Sequence, residues 1–270
     1  MTEKTNVSDF YENVSSYYNK DAELGFEDRA GENPLLEKIR NDFRHTTIKY
    51  PFENALEIGC GPGFDVAWFA GEFPEREITG VDIAPKMVDL AKQRIQKQNL
   101  NNARVLLSDE RDLTKLFKTE SFDLIYVYFG ALNTAANLGF AASQIQNLLK
   151  PTGHAVLSFV NKWYLREMIV QSIKLNVKTA FARLGKEWGG YSIDRHLPSR
   201  CYSPVEIRKA FADFELMEKK GYSILFPAWY NYKKYLGRHE KLEKLWQKDL
   251  QLQNTQWWSK GEYTLFVFRK

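Results

Sequence analysis

Short apolar runs alternate with amphipathic segments through the middle of the chain. Apolar residues at every third or fourth position predict helices over 64–72 and 138–149, and a further helix with Met87 and Ile95 on one face. The runs between these helices are apolar on both sides, as in strands that helices cover on both faces. This alternation predicts an α/β fold with a mostly parallel sheet. The predicted strands are 55–58, 78–82, 104–107, 122–129 and 154–160.

The segments that flank this core are predicted to be mainly helical. Phe10 and Tyr17 share one helix face, and Pro34 suits the first turn of a second helix. The run from Glu262 to Arg269 alternates as a closing strand does. We predict a single domain over 1–270, made of an N-terminal helical cap (1–49), a ligand-binding core (50–160), a lid insertion (161–202), a second core segment (203–226), a helical insertion (227–260) and a final strand (261–270).

A long amphipathic helix is predicted over 163–186. Lysine and arginine side chains occupy the faces away from its apolar stripe. Such a helix can dock on an anionic membrane surface, or it can form a lid over a ligand pocket with a solvated outer face. We favour the lid, so membrane contact is possible but not expected. The stripe is formed by Leu165, Ile169, Ile173, Val177 and Phe181.

Composition excludes several classes of protein. With 270 residues, of which 44% are hydrophobic and 27% charged, the chain is neither disordered nor dependent on disulfide bonds for a core. Its net charge of +4 permits anionic partners without requiring nucleic acid. Cys60 and Cys201 are too few for a disulfide framework or a four-cysteine zinc site. Residues 1–6 are polar, and no apolar run reaches the roughly 18 residues of a transmembrane helix, so we expect a cytoplasmic protein.

The most informative stretch is Glu57-Ile58-Gly59-Cys60-Gly61-Pro62-Gly63, which leaves the first predicted strand and opens a helix. Glycines allow a sharp turn and a close approach of the backbone to a ligand, and doubly wound sheets bind nucleotide-like cofactors at this position. A nicotinamide fingerprint needs its third glycine at position 64, where this chain has Phe64. Pro62 also lacks an N–H group that a pyrophosphate would need. An ordinary strand-to-helix turn is the remaining alternative.

The spacing Glu-x-Gly-x-Gly-x-Gly resembles the first motif of class I S-adenosylmethionine-dependent methyltransferases. Further segments resemble that family in the same order over residues 55–160, although His154 replaces a usual glycine; they are Asp82–Ala91, Ser108–Leu113, Phe122–Phe129 and Leu148–Gly153. The resemblance is closest to small-molecule methyltransferases of the quinone-biosynthesis-like, type-11 group. It implies a Rossmann-like, doubly wound, mostly parallel seven-stranded sheet with an antiparallel last strand and helical lid insertions.

The resemblance also implies roles for single residues. Asp82 would accept the ribose hydroxyls, Asp109 would bind the adenine amino group, and Glu57 would orient the loop or meet the amino group of the cofactor. Asp82 as a helix cap, Asp109 as a solvated acid and Glu57 as a core residue are the structural alternatives. The implied cofactor-binding residues are Tyr18, Glu57, Gly59, Cys60, Gly61, Gly63, Asp82, Ile83, Met87, Asp109, Glu110 and Tyr128.

The residues that act on a substrate are less clearly marked. His196 is the best-placed candidate for a catalytic general base, although a lone histidine is more often structural. Tyr11 and Tyr18 lie in a segment that resembles the cofactor-capping helix of the family, and Arg29 could pair with the cofactor carboxylate. No group of cysteine, histidine and acidic residues has metal-ligand spacing, so no metal is predicted. Aromatic residues suited to an apolar pocket are Trp163, Trp188, Tyr191, Trp229 and Tyr230.

Together these features predict in-line transfer of a methyl group from S-adenosylmethionine to a small, partly apolar metabolite. The donor is already activated, so alignment is the main task, and a base is needed only if the acceptor must lose a proton. An RNA methyltransferase and a non-catalytic S-adenosylmethionine-binding subunit are the alternatives. RNA is the less favoured partner because basic residues are dispersed, and Phe129–Asn133 lacks the motif of DNA amino-methyltransferases. The sequence carries no signal for an oligomeric state.

Overall fold

The computed structural model describes residues 7–192 and 194–270, and a seven-stranded sheet lies at its centre. In chain order the strands are β1 (Asn54–Ile58), β2 (Glu77–Asp82), β3 (Ala103–Leu107), β4 (Phe122–Val127), β5 (Leu149–Val160), β6 (Glu215–Tyr222) and β7 (Tyr263–Arg269). They lie in the order β3-β2-β1-β4-β5-β7-β6. The first five strands pair in parallel, whereas β7 is antiparallel to both of its neighbours. The predicted Rossmann-like sheet with an antiparallel last strand is confirmed.

Helices cover both faces of this sheet. Those of the described residues are α1 (Val7–Glu23), α2 (Phe26–Gly31), α3 (Pro34–Thr47), α4 (Phe64–Glu72), α5 (Pro85–Lys97), α6 (Leu113–Leu116), α7 (Leu138–Leu148), α8 (Leu165–Ile173), α9 (Val177–Phe181), α10 (Pro204–Ala210) and α11 (His239–Leu252). Buried side chains of α3, α4, α5 and α11 join one apolar cluster, and those of α6, α7 and α10 join another. The two-faced cover follows from strands that are apolar on both sides.

The strand order reverses at β1, whose neighbours are β2 and β4. Chains leaving β1 and β4 therefore turn to opposite faces and leave a crevice between them, where doubly wound sheets bind ligands. Strand β4 ends at Val127, earlier than predicted, because Phe129 and Gly130 have φ angles of 52° and 81°. Extended pairing cannot continue through two successive left-handed residues.

The N-terminal helices begin where local capping chemistry places them. The side-chain oxygen of Asn33 accepts hydrogen bonds from the backbone N–H groups of Leu35 and Leu36, at 3.0 and 3.2 Å. Pro34 follows at the first helical position, where its missing N–H costs nothing. The predicted helix from Pro34 is confirmed, and α2 is an addition that the apolar pattern did not indicate. Residues 1–6 of the predicted cap lie outside the described residues.

The single long helix predicted over 163–186 is wrong. The segment forms α8, α9 and a 3-10 helix (Ala182–Leu184), because Leu175 adopts a φ of 58° and Asn176 starts a new helix by accepting a hydrogen bond from the N–H of Thr179. The residues of the predicted stripe face outwards, with 36 to 77% of each exposed. In the described ranges, no helix combines the length and apolarity needed to cross a membrane.

Candidate functional site

A cavity of about 630 Å³ lies where β1, β2, β3 and β4 end. Parallel strands place their carboxyl ends at one edge of the sheet, so the residues that follow these strands meet there. All but one of the predicted cofactor-binding residues line the cavity, the exception being Gly63. The lining members of that set are Tyr18, Glu57, Gly59, Cys60, Gly61, Asp82, Ile83, Met87, Asp109, Glu110 and Tyr128.

The three glycines after β1 share left-handed backbone geometry but have different surroundings. A Cβ added at Gly59 would lie 2.3 Å from the Cβ of Ala131, and one added at Gly63 would lie 2.8 Å from the Cβ of Ala91. A Cβ added at Gly61 meets no atom within 4 Å. Gly63 is therefore needed for the close packing of α4 on α5 rather than for contact with a ligand. Gly61 presents bare backbone to the open space of the cavity.

Asp82, at the end of β2, holds the glycine loop in place. Its Oδ2 accepts a hydrogen bond from the N–H of Gly61 at 2.8 Å, and its Oδ1 accepts one from the N–H of Ala84 at 2.9 Å. Ala84 is itself the cap residue of α5, so Asp82 does not cap the first turn of that helix. Burial raises the pKa of this carboxyl group. Each oxygen of an ionised carboxylate has two lone pairs, so Asp82 retains acceptor capacity toward the cavity.

A buried cluster of charges links α3 to the helix that follows the glycine loop. Asp65, in the first turn of α4, is 2% exposed and pairs with Arg40 and with Arg44, the latter at 2.7 Å from Nε to Oδ1. Arg44 also donates to the backbone carbonyl of Phe64 at 3.2 Å. Sequence reasoning missed this cluster. Its signal was an acidic residue in a first helical turn and two arginines four positions apart.

Glu57, at the end of β1, is the least satisfied acid of the site. It is 2% exposed, and its Oε2 has no hydrogen-bond partner among residues 7–192 and 194–270. Burial first, and the nearby charge of Asp65 second, raise the pKa of this carboxyl group well above its usual value. A buried acceptor without a donor is costly unless a ligand supplies one. A bound ammonium group would both satisfy this oxygen and favour its ionised form.

Two adjacent acids after β3 have different partners. Asp109 forms a bidentate pair with Arg111, at 2.8 Å to Nε and 2.6 Å to Nη2, which fixes the orientation of its carboxylate. Glu110 accepts a hydrogen bond from the hydroxyl of Tyr11. Burial raises the pKa of Glu110 to about 7, despite the opposing effect of that hydrogen bond. Both acids line the cavity, and the guanidinium of Arg111 lies 3.8 Å above the ring of Tyr11.

Cys60 and Tyr128 line the cavity without offering a reactive group. Burial raises the pKa of the Cys60 thiol well above its usual value, and the neighbouring acids Asp82 and Glu57 add to the effect. The hydroxyl of Tyr128 is hydrogen-bonded to Oγ1 of Thr47, and burial raises its pKa as well. Both side chains are therefore neutral walls of the site.

Helix α1 lies across the cavity and contributes Tyr11, Val14, Tyr17 and Tyr18 to its lining. Polar contacts to several segments around the cavity fasten it there. Burial raises the pKa of Tyr18, which keeps its hydroxyl neutral. The contacts include Tyr11 with Glu110, Ser15 Oγ with the carbonyl of Ile83 at 3.0 Å, Asn19 Oδ1 with the N–H of Lys86 at 3.0 Å, and Arg195 Nη2 with Asp21 Oδ1 at 2.6 Å.

The insertion over 161–202 reaches the cavity by its loop rather than by its helices. None of the residues of α8 and α9 lines the cavity, whereas Tyr191 and Leu197 do. The predicted helical lid is thus replaced by a loop that covers one side of the cavity. Arg29, predicted to meet a cofactor carboxylate, also lines the cavity, but its Nη2 is paired with Asp21 at 2.9 Å.

His196 is not brought to this cavity. Its side chain is 63% exposed, and its Nε2 pairs with Oε1 of Glu187 at the surface. The neighbouring Arg195 and Leu197 line the cavity, but His196 is not among the lining residues. The prediction of a general base at this position therefore has no geometric support.

A second group of residues at the cavity was predicted in part. Of the aromatic residues predicted to suit an apolar pocket, Tyr191 and Trp229 line the cavity, whereas Trp163, Trp188 and Tyr230 are not among its lining residues. Sequence reasoning missed Tyr263, which also lines the cavity, and the buried Glu262 that precedes it in the chain. In the described part of the chain, no group of three or more His, Cys, Asp and Glu side chains is placed to hold a metal ion.

Comparisons with known proteins decide the family. The family profile described as "Methyltransferase domain" matches residues 51–206, which contain the glycine loop and the acids that follow β1, β2 and β3. The chain belongs to this methyltransferase family. Demethylmenaquinone methyltransferase of Bacteroides fragilis is 25% identical over 187 residues, which cover 67% of this chain and 71% of that protein. A tRNA (guanine-N(7)-)-methyltransferase of Chlorobium phaeobacteroides is 32% identical over 99 residues, but these cover 36% of this chain and 48% of that protein.

Solved structures agree on the fold of this methyltransferase. Geranyl diphosphate C-methyltransferase from Streptomyces coelicolor A3(2), solved in complex with S-adenosyl-L-homocysteine, has a TM-score of 0.61 at 14% identity. The match covers 96% of this chain and 97% of that one. The profile match makes the protein a methyltransferase, and this family together with the fold implies S-adenosylmethionine as its cofactor, so the nicotinamide alternative is set aside. The cavity fits this cofactor, since bare backbone at Gly61, acceptor capacity at Asp82 and an unpaired oxygen at Glu57 lie along one wall.

Proposed function

We propose that this methyltransferase methylates a small, partly apolar molecule within the cavity that the glycine loop lines together with Tyr191 and Leu197. The observation that carries the proposal is the mixed lining of this cavity. The glycine backbone and the carboxylates form one part of the lining, here called the polar wall, and aliphatic and aromatic side chains form another part, here called the apolar wall. The apolar wall includes Leu24, Phe26, Leu36, Phe129, Leu132, Trp229 and Tyr263.

The polar wall is proposed to hold the cofactor. Asp82 would accept the ribose hydroxyls, and Asp109 with Glu110 would lie at the adenine end. Glu57 would receive the ammonium group through its unpaired Oε2. Met87 and Ile83 offer apolar surface beside Asp82, and Tyr18 closes the wall from helix α1. Each assignment thus places one part of the cofactor beside the end of one strand: the ammonium group at β1, the ribose at β2 and the adenine at β3.

The chain's own task in the reaction is alignment and exclusion of water. When bound, the cofactor supplies an electrophilic methyl group on a positively charged sulfur. The strand ends hold the polar wall in position, and α1 with Tyr191 and Leu197 would limit the access of water to the bound reactants. Alignment of two reactants can contribute on the order of 7–11 kcal/mol to lowering a barrier. Removal of water also keeps the acceptor's nucleophilic atom free of a hydration shell.

Relatives support a small acceptor over RNA. The demethylmenaquinone methyltransferase aligns over two thirds of this chain, whereas tRNA (guanine-N(7)-)-methyltransferases align over about a quarter to a half of it. Basic side chains at the cavity are also already paired with acids, as Arg29 and Arg195 are with Asp21. A phosphate backbone is bound by unpaired lysine and arginine side chains, so this edge is poorly suited to RNA.

A labelling experiment tests the proposal. The protein is incubated with S-adenosylmethionine carrying an isotopically labelled methyl group, together with small aromatic and aliphatic acceptors of increasing apolarity, or with tRNA transcripts. We expect label in the small apolar acceptors and none in RNA, with turnover rising as the acceptor fills the apolar wall. Label found in RNA alone would contradict the proposal and establish the alternative substrate class.

Replacement of Asp82 by alanine tests the assignment of the ribose. The variant is expected to bind S-adenosylhomocysteine more weakly by about 1.5–3 kcal/mol, the scale of hydrogen bonds to a charged group. Isothermal titration calorimetry measures the affinity, and circular dichroism verifies that the sheet is intact. Asp112→Ala is the control, because Asp112 pairs with Lys115 at the surface and lies outside the cavity lining. Equal affinity for Asp82→Ala and the parent protein would remove the ribose assignment.

A further inference from the structure

A buried carboxylate lies immediately behind the apolar wall of the cavity. Glu262 is 0% exposed and directly precedes β7. Because β7 is antiparallel to β5, its first residue, Tyr263, pairs with Val160 at the carboxyl end of β5. The carbonyl of Glu262 accepts a hydrogen bond from the N–H of Asn161 at 2.8 Å. The reversed strand thus brings an acid to the edge of the sheet at which the parallel strands end.

Tyr191 connects this carboxylate to the cavity. Its hydroxyl donates to Oε1 of Glu262 at 2.8 Å and lies 3.4 Å from the hydroxyl of Tyr263. Tyr191 and Tyr263 line the cavity, whereas Glu262 is not among the lining residues. Oε2 of Glu262 has no hydrogen-bond partner in the described part of the chain. Tyr191 is therefore in contact with both the cavity and an acid that has an unused oxygen.

The positive charge near Glu262 does not fully balance the nearby carboxylates, so the Glu262 carboxylate can accept a proton. Nη2 of Arg183 lies 3.6 Å from Oε1 of Glu262, while Nε of the same arginine binds Oε2 of Glu167 at 2.6 Å. One guanidinium thus faces two carboxylates. Burial raises the pKa of Glu262 to about 7, although Arg183 and the Tyr191 hydrogen bond act against it. The other titratable groups that feel this acid are neutral thiol or phenol groups, namely Tyr164, Tyr230, Tyr263 and Cys201.

We infer that Tyr191 and Glu262 form a proton-accepting pair that deprotonates a hydroxyl acceptor during methyl transfer. The inference rests on the proposed function. The hydroxyl proton of the acceptor moves to Oη of Tyr191 as the proton of Tyr191 moves to Glu262. The electron pair left on the acceptor oxygen forms the new bond to the methyl carbon. The carbon–sulfur bond breaks with its pair remaining on sulfur, so the charge on sulfur is neutralised and Glu262 ends the step protonated.

The position of the pair matches its task. An acid that must take a proton near neutral pH works best when its own pKa is close to that pH, and burial behind an aromatic wall provides this condition. His196, the base expected from the sequence, lies at the surface. General-base assistance contributes typically about 10²–10⁴-fold in rate. Removal of this assistance should therefore lower the turnover of an acceptor that must lose a proton. It should leave the turnover of an already ionised acceptor unchanged.

A matched pair of acceptors tests the inference. Wild type, Tyr191→Phe and Glu262→Gln are assayed with 2-naphthol and with 2-naphthalenethiol, which ionises at much lower pH. We expect both variants to lose about 10²-fold or more with the naphthol and to keep turnover of the thiol within a few-fold. Tyr230→Phe is the control, because it removes a tyrosine hydrogen bond to Glu167 in the same cluster without lining the cavity.

The pH profile adds a second condition. Glu262 accepts a proton only as the carboxylate, so turnover of the naphthol by wild type should rise with pH through about 7. The profile should lose this rise in Glu262→Gln. Equal losses for naphthol and thiol, or a naphthol rate unchanged in both variants, would overturn the inference.

Infrared spectroscopy of the protein without ligands gives a readout independent of turnover. The carboxylic acid band of Glu262 should disappear as pH rises through about 7, and the Glu262→Gln variant assigns it, because Glu110 titrates in the same range. A wild-type spectrum that matches Glu262→Gln across this range contradicts the inference. If neither naphthyl acceptor is methylated while S-adenosylhomocysteine binds, the proposed substrate class fails instead, and the infrared result still decides the state of Glu262.

Discussion

Replacement of Gly61 by valine is expected to abolish binding of S-adenosylhomocysteine while leaving the sheet folded. A Cβ at this position meets no protein atom within 4 Å, so the added side chain projects into the space proposed for the cofactor. The N–H of Gly61 also donates to Asp82, so a displaced loop would lose that contact as well. We expect the affinity to fall below the range that calorimetry detects.

Backbone strain must be separated from this loss of space. Gly61 has a φ of 52°, which a β-branched residue adopts only with strain. Gly237 supplies the matched control, since its φ is 71° and a Cβ there also meets no atom within 4 Å, but it does not line the cavity. Gly237→Val should bind S-adenosylhomocysteine as the parent protein does. Tight binding by Gly61→Val would show that the glycine loop does not face the ligand.

Replacement of Asp65 by asparagine is expected to destabilise the protein by about 3–5 kcal/mol, the scale for breaking a buried ion pair from one side. Asp65 is the shared partner of Arg40 and Arg44, whose side chains are 14% and 12% exposed. Removal of its charge leaves two guanidinium groups with little access to water. The free energy of unfolding in urea measures the effect, with the midpoint and slope determined separately.

A surface pair provides the comparison for this second prediction. Asp112 pairs with Lys115 where both side chains are well exposed, so Asp112→Asn should change the free energy of unfolding by less than about 1 kcal/mol. A similarly small effect for Asp65→Asn would mean that Arg40 and Arg44 bind other partners in the variant. The cluster would then not anchor α3 to α4.

Much of the core and its polar wall could be predicted because they follow from local patterns. Continuous apolar runs such as Leu124–Val127 indicate buried parallel strands, and an acid that ends a strand, such as Asp82, is carried to the ligand edge by the topology. The glycine spacing predicted the position of the loop, but it did not distinguish the role of Gly61 from that of Gly63. Those roles depend on where Ala91 of the next helix lies, which spacing within one loop does not encode.

The aromatic residues Tyr191 and Trp229 could be predicted for a pocket, but the contact of Tyr191 with Glu262 could not, because it forms only through distant pairing. Tyr191 and Glu262 are separated by 71 positions and come together because β7 runs against β5. The long helix was predicted from apolar periodicity, which continues through the segment, while the single left-handed residue Leu175 divides it. A leucine carries no local signal for that conformation, so tertiary context decides.

The fastening of helix α1 determines how ligands can exchange. Only Tyr11, Val14 and Asp21 of this helix are buried, whereas every residue of β4 but one is. Regions with few buried apolar contacts open locally at a fraction of the free energy of global unfolding. The polar contacts between α1 and the surrounding segments, each contributing on the order of 1 kcal/mol, therefore set the threshold for lifting this helix. Product can then leave by a local opening event, while the strand ends that recognise the next cofactor molecule stay assembled.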